Sequence, residues 1–299
     1  MRGAAGYGIS HSSLCAVLEA AGRVCREWEG SVDADAVIDL ALGIERTRAK
    51  GRRIAADDVV PITRGGAGLV YTGESGSIRH RRIPCDESWV AGHLLFAHDP
   101  AGPRHRAPEL LESLFAHPRA GEFVGSISAT ALQASAGLWR GDAPLLAVAI
   151  RRYVSIFDKW SGGRFVHDSV RKVVGELEGT LGGGLLAWKP PGAGAASSLV
   201  ALVADGAMGD ARGALTRAGW EAGPLVVTGG LRCDVDGPGG LTRISAGHRV
   251  DLVGAADLGS DPSIGRDGIC CSIAVEPRCE LVLKAPRPGS NPSRRGLEG

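Results

Sequence analysis

The pattern of apolar and polar positions predicts two amphipathic helices at the start of the chain. Apolar residues recur every three or four positions over residues 12–28, which gives one apolar face, and Gly30 ends this segment. A second segment of the same kind begins at Ser31 or Asp33, either of which can cap a helix, and it runs to Lys50. Each helix therefore has a face that must pack against the rest of the protein.

The remainder of the chain alternates between helical and extended patterns. Residues 57–68 combine adjacent acids, a short apolar piece and a glycine cluster, which indicates a loop with a turn. Runs of β-branched or alternating residues predict strands at 69–71, 78–83, 89–97, 199–203, 225–227, 241–244, 248–253, 269–275 and 280–283. Runs of helical period predict helices at 108–117, 127–159 with a break near 141–144, 166–181 and 209–218. Because many of these strands are not expected to be parallel neighbours, the predicted fold class is α+β.

Composition excludes several classes of partner. The chain has 299 residues, enough for one large domain or two smaller ones, with 44% hydrophobic and 22% charged residues. The formal net charge of +1 gives no field that would attract nucleic acid or an anionic membrane. Aromatic residues are only 5%, which argues against base stacking, and no apolar run approaches the ~20 residues that span a bilayer. Neither nucleic acid nor a membrane is expected as a partner.

The cysteines and histidines predict no disulfide framework and no metal cluster. There are seven cysteines, an odd number, without a C-x-x-C pair or a visible signal peptide, so reduced thiols and a cytoplasmic location are expected. The eight histidines lack metal-binding spacing. His93 and His98 lie in or beside an apolar run and are interpreted as core or edge residues.

The first candidate for chemistry is the segment that precedes the first helix, Gly6-Tyr7-Gly8-Ile9-Ser10-His11-Ser12-Ser13. Glycines allow a backbone to approach a ligand closely, and the free N–H groups at a helix N-terminus favour an anion such as phosphate. The alternative is that this segment is a leader in front of a helix that a serine, Ser10 or Ser12, simply caps.

A second glycine-rich stretch, residues 182–198, contains Lys189-Pro190-Pro191-Gly192-Ala193-Gly194-Ala195 and leads into the strand predicted at 199–203. Two carboxylates also stand out. Glu45 falls near the C-terminal end of the second helix, where it opposes the helix dipole, although a solvated carboxylate is common there. Asp58 precedes the pair Gly65-Gly66 and is otherwise one of two turn acids.

Together these segments resemble the GHMP small-molecule kinases, which include galactokinase and the homoserine, mevalonate and phosphomevalonate kinases. The segment from Gly6 to Ser13 resembles the family's phosphate loop, and the stretch that starts at Lys189 resembles its K-x-x-G-A-G-G motif. Glu45 and Asp58 stand at the family's spacing between those two motifs. The nearest resemblance is to the sugar-kinase branch with fucokinase and heptose 7-phosphate kinase. A two-lobed fold is implied, with a lobe like domain 2 of ribosomal protein S5 and a ferredoxin-like C-terminal lobe.

The order of the motifs departs from that of the family. His248-Arg249-Val250-Asp251-Leu252-Val253-Gly254-Ala255-Ala256-Asp257 resembles the segment that opens these kinases, yet it stands near the end of the chain. Either the chain is circularly permuted, or its end begins a truncated second copy; domain termini that lie close together make permutation physically reasonable. The expected parts are the phosphate loop and catalytic segment (1–90), the C-lobe (91–230), the strands that normally open the N-lobe (231–285) and a disordered tail (286–299).

The resemblance implies a role for each matched residue. The loop that includes Gly6, Gly8, Ile9, Ser10, His11 and Ser12 would cradle the phosphates of ATP. Ser10 and Glu45 would hold Mg²⁺, and Asp58 would accept the proton of the acceptor hydroxyl or orient it. Gly192 and Gly194 would shape the floor of the site, and Arg249 and Asp257 would face a sugar or sugar phosphate.

Several departures from the motifs support a second hypothesis. Asp57 replaces the family's Gln, and His11 interrupts the serine run. Ala195-Ala196 replace glycines in the segment that starts at Lys189, which is the third motif of the family. The segment Phe96-Ala97-His98-Asp99-Pro100 lacks the family's T-G-x-x-R. The first hypothesis is an ATP- and Mg²⁺-dependent sugar or sugar-phosphate kinase. The second is a catalytically silent binding protein with the same fold; a homodimer is left open in either case.

Overall fold

The structure is a computed structural model, and it describes residues 11–27, 32–49, 56–73, 77–102, 110, 113–114, 116–191, 197–235, 241–254 and 268–284. The predicted helix at 108–117 lies largely outside the described residues, and the predicted tail at 286–299 lies wholly outside them. Among the described residues, no helix is long and apolar enough to cross a membrane.

Groups of helices and groups of strands follow one another along the chain, and the described strands pair antiparallel, which confirms the α+β prediction. The helices are α1 (His11–Glu27), α2 (Ala34–Ala49), α3 (Ala56–Arg64), α4 (Glu87–His93), α5 (Ala120–Arg140), α6 (Ala143–Trp160), α7 (Asp168–Leu181) and α8 (Met208–Arg217). The strands are β1 (Ala67–Thr72), β2 (Ile78–Ile83), β3 (Leu94–His98), β4 (Leu185–Lys189), β5 (Ser198–Val203), β6 (Glu221–Pro224), β7 (Arg232–Val235), β8 (Leu241–Gly254) and β9 (Gly268–Lys284).

The prediction of a loop over residues 57–68 was wrong, because α3 occupies most of that segment. Val59, Val60 and Ile62 are fully or almost fully buried, so packing favours the helix despite the adjacent acids and Pro61 inside it. Gly65 ends α3 with a left-handed φ of 70° and donates its N–H to the carbonyl of Pro61. A Cβ at Gly65 would lie 1.9 Å from the backbone nitrogen of Gly230, so this turn requires glycine.

The first of two antiparallel sheets combines strands from both ends of the chain. Its strand order is β2-β1-β9-β8-β7, so the hairpin formed by β8 and β9 inserts beside β1. Ala67 of β1 pairs with Ile83 of β2 on one side and with Ile273 of β9 on the other. The N-terminal part of the chain therefore completes its sheet with strands that come nearly two hundred residues later.

The two long strands of this hairpin were each predicted as two shorter ones. Residues 241–244 and 248–253 join in β8, which crosses Gly247 with a shift of register. Residues 269–275 and 280–283 join in β9 across Pro277. Glycine and proline interrupt the sequence pattern, but backbone pairing between the two strands resumes beyond them.

The second sheet has the order β4-β5-β3-β6 and is built from the middle of the chain. The strand predicted at 89–97 was wrong in its first half, where α4 is capped by the side chain of Asp86, and right from Leu94 onward. The strand predicted at 225–227 was also displaced, since β6 occupies Glu221–Pro224 and only Val227 forms an isolated bridge. The helices predicted at 127–159, 166–181 and 209–218 and the strand at 199–203 are confirmed, with bounds that differ by a few residues.

Two apolar cores lie on opposite faces of the five-stranded sheet. Helices α1 to α3 pack on one face, where Val70 and Cys270 are buried with them. Helix α5 packs against β8 and β9 on the other face, where Leu69 and Ile273 are buried, and α6 packs against β4 of the second sheet. The alternation of side chains along β1 thus divides its residues between the two cores.

Candidate functional site

The candidate site lies where α1, α3 and β8 meet, and Asp58 is at its centre. Asp58 is in the first turn of α3 and only 3% exposed. The hydroxyl of Ser13, in the first turn of α1, donates to Oδ2 of Asp58 at 3.2 Å. Because the segment predicted as the phosphate loop leads directly into α1, this hydrogen bond places Asp58 close to where the loop enters the helix.

Arg249 supplies the positive charge that Asp58 needs for burial. Its Nη2 pairs with Oδ1 of Asp58, and its Nη1 pairs with Oδ2 of Asp251, two residues further along β8. Side chains two residues apart on a strand point to the same face, which lets one guanidinium join both carboxylates. Arg249 is 9% exposed, so solvent screens these ion pairs weakly. The structure thus brings together two predicted site residues that are far apart in the sequence.

Asp251 has two further partners. The thiol of Cys270, on β9, donates to Oδ1 of Asp251 at 3.3 Å. The ammonium of Lys189, the last residue of β4, donates to the backbone carbonyl of Asp251 at 2.7 Å. Burial lowers the pKa of Lys189 from 10.5 to about 7, and the charge of Cys270 opposes this shift. Asp251 therefore links the candidate site to the second sheet.

Glu45, on α2, is 8% exposed, which excludes the interpretation of a solvated helix carboxylate. Among the described residues, no group of three or more His, Cys, Asp or Glu could hold a metal ion. Glu45 is the one predicted Mg²⁺ ligand whose side chain is described, and a single carboxylate is compatible with this ion, which takes one or two carboxylates and completes its octahedron with water and substrate phosphates. A buried carboxylate such as Glu45 suits that role, with a nucleotide supplying the remaining oxygens.

The other predicted site residues fall partly or wholly outside the described part of the chain. These are Gly6, Gly8, Ile9, Ser10, Gly192, Gly194 and Asp257. The backbones of His11 and Ser12 are described as the start of α1, but their side chains are not. The roles predicted for all of these residues, and for Asp58, Glu45 and Arg249, remain predictions.

A groove of about 640 Å³ opens elsewhere on the molecule, between α2, α3 and β2. It is lined by Asp35, Ile38, Asp39, Leu42, Arg46, Val60, Arg64, Ile78, His80 and Arg82, none of which is a predicted site residue. Arg64 lies at the C-terminal end of α3, roughly 9 Å along the helix axis from Asp58. Its lining thus contains no candidate site residue, although Val60 lies two residues from Asp58 and Arg46 follows Glu45.

Sequence reasoning missed three residues of the site: Ser13, Asp251 and Lys189. Two of them were open to detection, because Asp251 follows Arg249 at the two-residue period of a strand and Lys189 begins the third motif. Ser13 belongs to the segment that resembles the phosphate loop, but no role of its own was predicted for it, since a serine in the first turn of a helix is ordinary.

Comparison with known proteins supports the fold. No protein-family model and no curated protein matches the chain. Among solved structures, a D-glycero-D-manno-heptose 1-phosphate kinase from Bacteroides thetaiotaomicron matches with a TM-score of 0.53 and 15% identity, over 75% of this chain and 62% of that one. Mevalonate diphosphate decarboxylase from Staphylococcus aureus matches with a TM-score of 0.52 and 12% identity, over 75% and 67%. Homoserine kinase from Cytophaga hutchinsonii matches with a TM-score of 0.51 and 14% identity, over 75% and 68%.

These likenesses establish a two-lobed, GHMP-kinase-like fold for the chain. At 12–15% identity they are likenesses of fold alone. The chain spans about two thirds of the length of each of the three structures, or slightly less. The same fold carries two proteins named as kinases and one named as a decarboxylase, so activity must be argued from the site.

Proposed function

We propose that this protein is an ATP- and Mg²⁺-dependent kinase that phosphorylates a hydroxyl group of a sugar or sugar phosphate. The observation that carries the proposal is the buried carboxylate of Asp58, held by Arg249 and by Ser13 at the start of α1. A kinase needs such a carboxylate beside the phosphates of the nucleotide. The choice of a sugar acceptor rests on the resemblance of the motifs to the sugar-kinase branch.

In the proposed reaction, the acceptor hydroxyl oxygen attacks the γ-phosphorus while the bond from that phosphorus to the β–γ bridging oxygen breaks, which releases ADP. Asp58 accepts the hydroxyl proton or orients the hydroxyl. It acts mainly by its position within hydrogen-bond distance, because Arg249 and Ser13 already interact with its negative charge. Arg249 holds Asp58 in place and presents its remaining surface to the acceptor, and Asp257 adds a contact to the sugar.

The loop before α1 would bind the nucleotide. Backbone N–H groups at Gly6, Gly8 and Ile9 and the start of α1 would receive the phosphates, and Gly192 and Gly194 would face them from the second glycine-rich stretch. Ser10 and Glu45 would hold the magnesium ion, and His11 and Ser12 would complete the loop. When bound, the ion neutralises charge that develops on the phosphate oxygens.

We also propose that the chain is circularly permuted relative to the GHMP kinases, with residues 231–285 as the strands that normally open the N-lobe. The pairing of β9 with β1 and the contact between Arg249 and Asp58 support this order. A truncated second copy would instead leave its strands without an established place beside β1. None of the seven cysteines, all of which lie in the described part of the chain, forms a disulfide, which supports a reducing compartment; for this we propose the cytoplasm.

The direct test is release of ADP from Mg-ATP over a panel of hexoses, heptose phosphates and amino sugars. Asp58→Asn keeps the shape of the side chain but removes its charge, so we expect kcat to fall by about 100- to 10,000-fold. Asp210→Asn is the matched control, because Asp210 lies exposed on α8 and outside the candidate site. Unchanged turnover in Asp58→Asn would contradict the proposed mechanism.

The second candidate is a catalytically silent binding protein with the same fold. It is favoured by one observation, that both carboxylate oxygens of Asp58 already have partners within the protein. A thermal-shift scan with Mg-ATP shows whether the protein binds the nucleotide, independently of whether it turns it over. A nucleotide-dependent rise in melting temperature without turnover on any acceptor of the panel would support the silent protein.

A further inference from the structure

The buried amine of Lys189 is the most unusual charged group outside the proposed chemistry. Lys189 has 0% exposure, although lysine is almost never fully buried without a partner. Its nitrogen donates to the carbonyl of Asp251 at 2.7 Å and lies 4.9 Å from the centroid of the Tyr153 ring, a cation–π distance. Burying an amine costs free energy, so this geometry calls for a reason other than stability.

The position of Lys189 suggests that reason. It is the last residue of β4 in the four-stranded sheet, whereas Asp251 belongs to β8 in the five-stranded sheet. Asp251 pairs with Arg249, and Arg249 pairs with Asp58. A continuous series of polar contacts therefore runs from the second sheet to the carboxylate at the centre of the candidate site.

We propose that Lys189 is a positioning residue: by its hydrogen bond to the Asp251 carbonyl it fixes β8, so that Arg249 meets Asp58 in the reactive geometry. The proposal rests on the function proposed above and deepens it, because it explains how the second sheet controls the catalytic carboxylate. It also gives a role to the lysine that begins the K-x-x-G-A-G-G-like motif, three residues before Gly192.

The charge on this amine should change within the working pH range. Three groups face Lys189: the Tyr153 ring from α6, the Asp251 carbonyl from β8 and the Cys270 thiol from β9. Since the pKa of Lys189 is about 7, the amine is charged below that pH and neutral above it. A charged donor makes the stronger hydrogen bond, so the positioning of Arg249 should be tightest below pH 7.

The test uses Lys189→Met in the full chain, which keeps the length and apolar stem of the side chain but removes the donor. Lys172→Met is the matched control, because Lys172 is exposed on α7. We expect Lys189→Met to lower kcat by up to about 100-fold through misplacement of the reacting groups, with KM for ATP nearly unchanged. In the wild type we expect kcat to fall as pH rises through 7, and we expect this fall to be absent from the variant.

Two readouts are independent of turnover. Backbone amides of residues 249–254 should exchange with solvent faster in Lys189→Met, while those of α8, which packs on α7 and β6, should not change. In the wild type, NMR of labelled lysine should show one amine that titrates near pH 7, with the β8 amides shifting over the same range.

The outcomes separate the two proposals. A wild type without turnover on any acceptor would end the kinase proposal, while amide exchange and lysine titration would still decide whether Lys189 fixes β8. Unchanged kcat, pH profile and exchange in Lys189→Met would overturn the positioning role. If Lys189→Met does not fold, the wild-type titration decides: β8 amides that stay unshifted while the amine titrates would overturn it.

Discussion

The two faces of the five-stranded sheet bury different chemistry. The face covered by α1 to α3 buries charged and polar groups next to its apolar core, namely Ser13, Glu45, Asp58 and Arg249. The face covered by α5 is largely apolar, and its core includes Ile127, Val250 and Leu252. Burial of apolar side chains stabilises a fold without requiring a particular partner or direction. Buried charges must be paired, and the pairing fixes their geometry.

This difference shows where function can reside in the molecule. The α5 face tolerates any well-packed apolar set of suitable volume. The other face holds one arginine between two carboxylates, an arrangement that a simple hydrophobic core does not need. The buried polar groups therefore mark the side of the sheet where the chemistry is proposed, and four sets of substitutions can break or sharpen this contrast.

The largest effect is expected from Arg249→Met. It leaves Asp58 and Asp251 buried without their cation, so the free energy of unfolding should fall by about 3–5 kcal/mol. Arg243→Met on the same strand is the control: that side chain is 50% exposed in its pair with Glu280, and its loss should cost less than about 1 kcal/mol. Urea unfolding of both variants at pH 7 measures the difference.

A second substitution shows whether charge or volume causes that loss. Asp58→Asn added to Arg249→Met should restore part of the lost stability, because it removes one uncompensated charge. Phe123→Ala on the α5 face should cost a similar amount, about 3–5 kcal/mol, through a cavity. Equal rescue of Phe123→Ala by Asp58→Asn would contradict the contrast between the two faces.

A smaller effect, and one that depends on pH, is expected from Lys189. Its pKa is about 7 in the folded chain and 10.5 when unfolded, so between these values the unfolded chain binds more protons. The stability of the wild type relative to Lys189→Met should therefore rise with pH, by about 2–3 kcal/mol between pH 7 and 9. Denaturant unfolding of both chains across this range measures it, and a difference that falls with pH would show that burial does not govern this amine.

The smallest effect is expected from Ser13→Ala. The change removes one neutral donor at 3.2 Å from Asp58, which should cost about 1 kcal/mol of stability. Ser135→Ala on α5 is the control, since its hydroxyl bonds only to the carbonyl of Leu132 on the exposed side, and its loss should stay within about 0.5 kcal/mol. A larger cost for Ser135→Ala than for Ser13→Ala would oppose the assignment of Ser13 to the site.

Much of the fold could be predicted from sequence because long elements carry many repeats of their period. The helices α1, α2, α5 and α6 show this, and so does β5, where every residue after Ser198 is apolar. Short elements were less predictable. In α3, Pro61 and adjacent acids indicate a loop, yet burial of the apolar residues between them favours a helix. Tertiary packing therefore overrode the local signal.

The candidate site was predictable only in part. Asp58, Glu45 and Arg249 were identified by motif resemblance, and the burial of all three is a result that the sequence could not supply. The contact between Arg249 and Asp58 depends on the insertion of β8 and β9 beside β1; the sequence indicated this only through the resemblance of residues 248–257 to the segment that opens the GHMP kinases. The link through Lys189 requires knowledge of how the two sheets approach each other.

The pairing of β1 with β9 has a consequence for biosynthesis. Ala67 cannot pair with Ile273 until the residues between them have been synthesised, which takes roughly 10 to 40 seconds at a usual rate of translation. Until then, α1 to α3 expose on the nascent chain the apolar side that later covers the sheet. Such late, non-local closure slows folding and favours aggregation, so production of this protein should depend strongly on chaperones that shield its first helices.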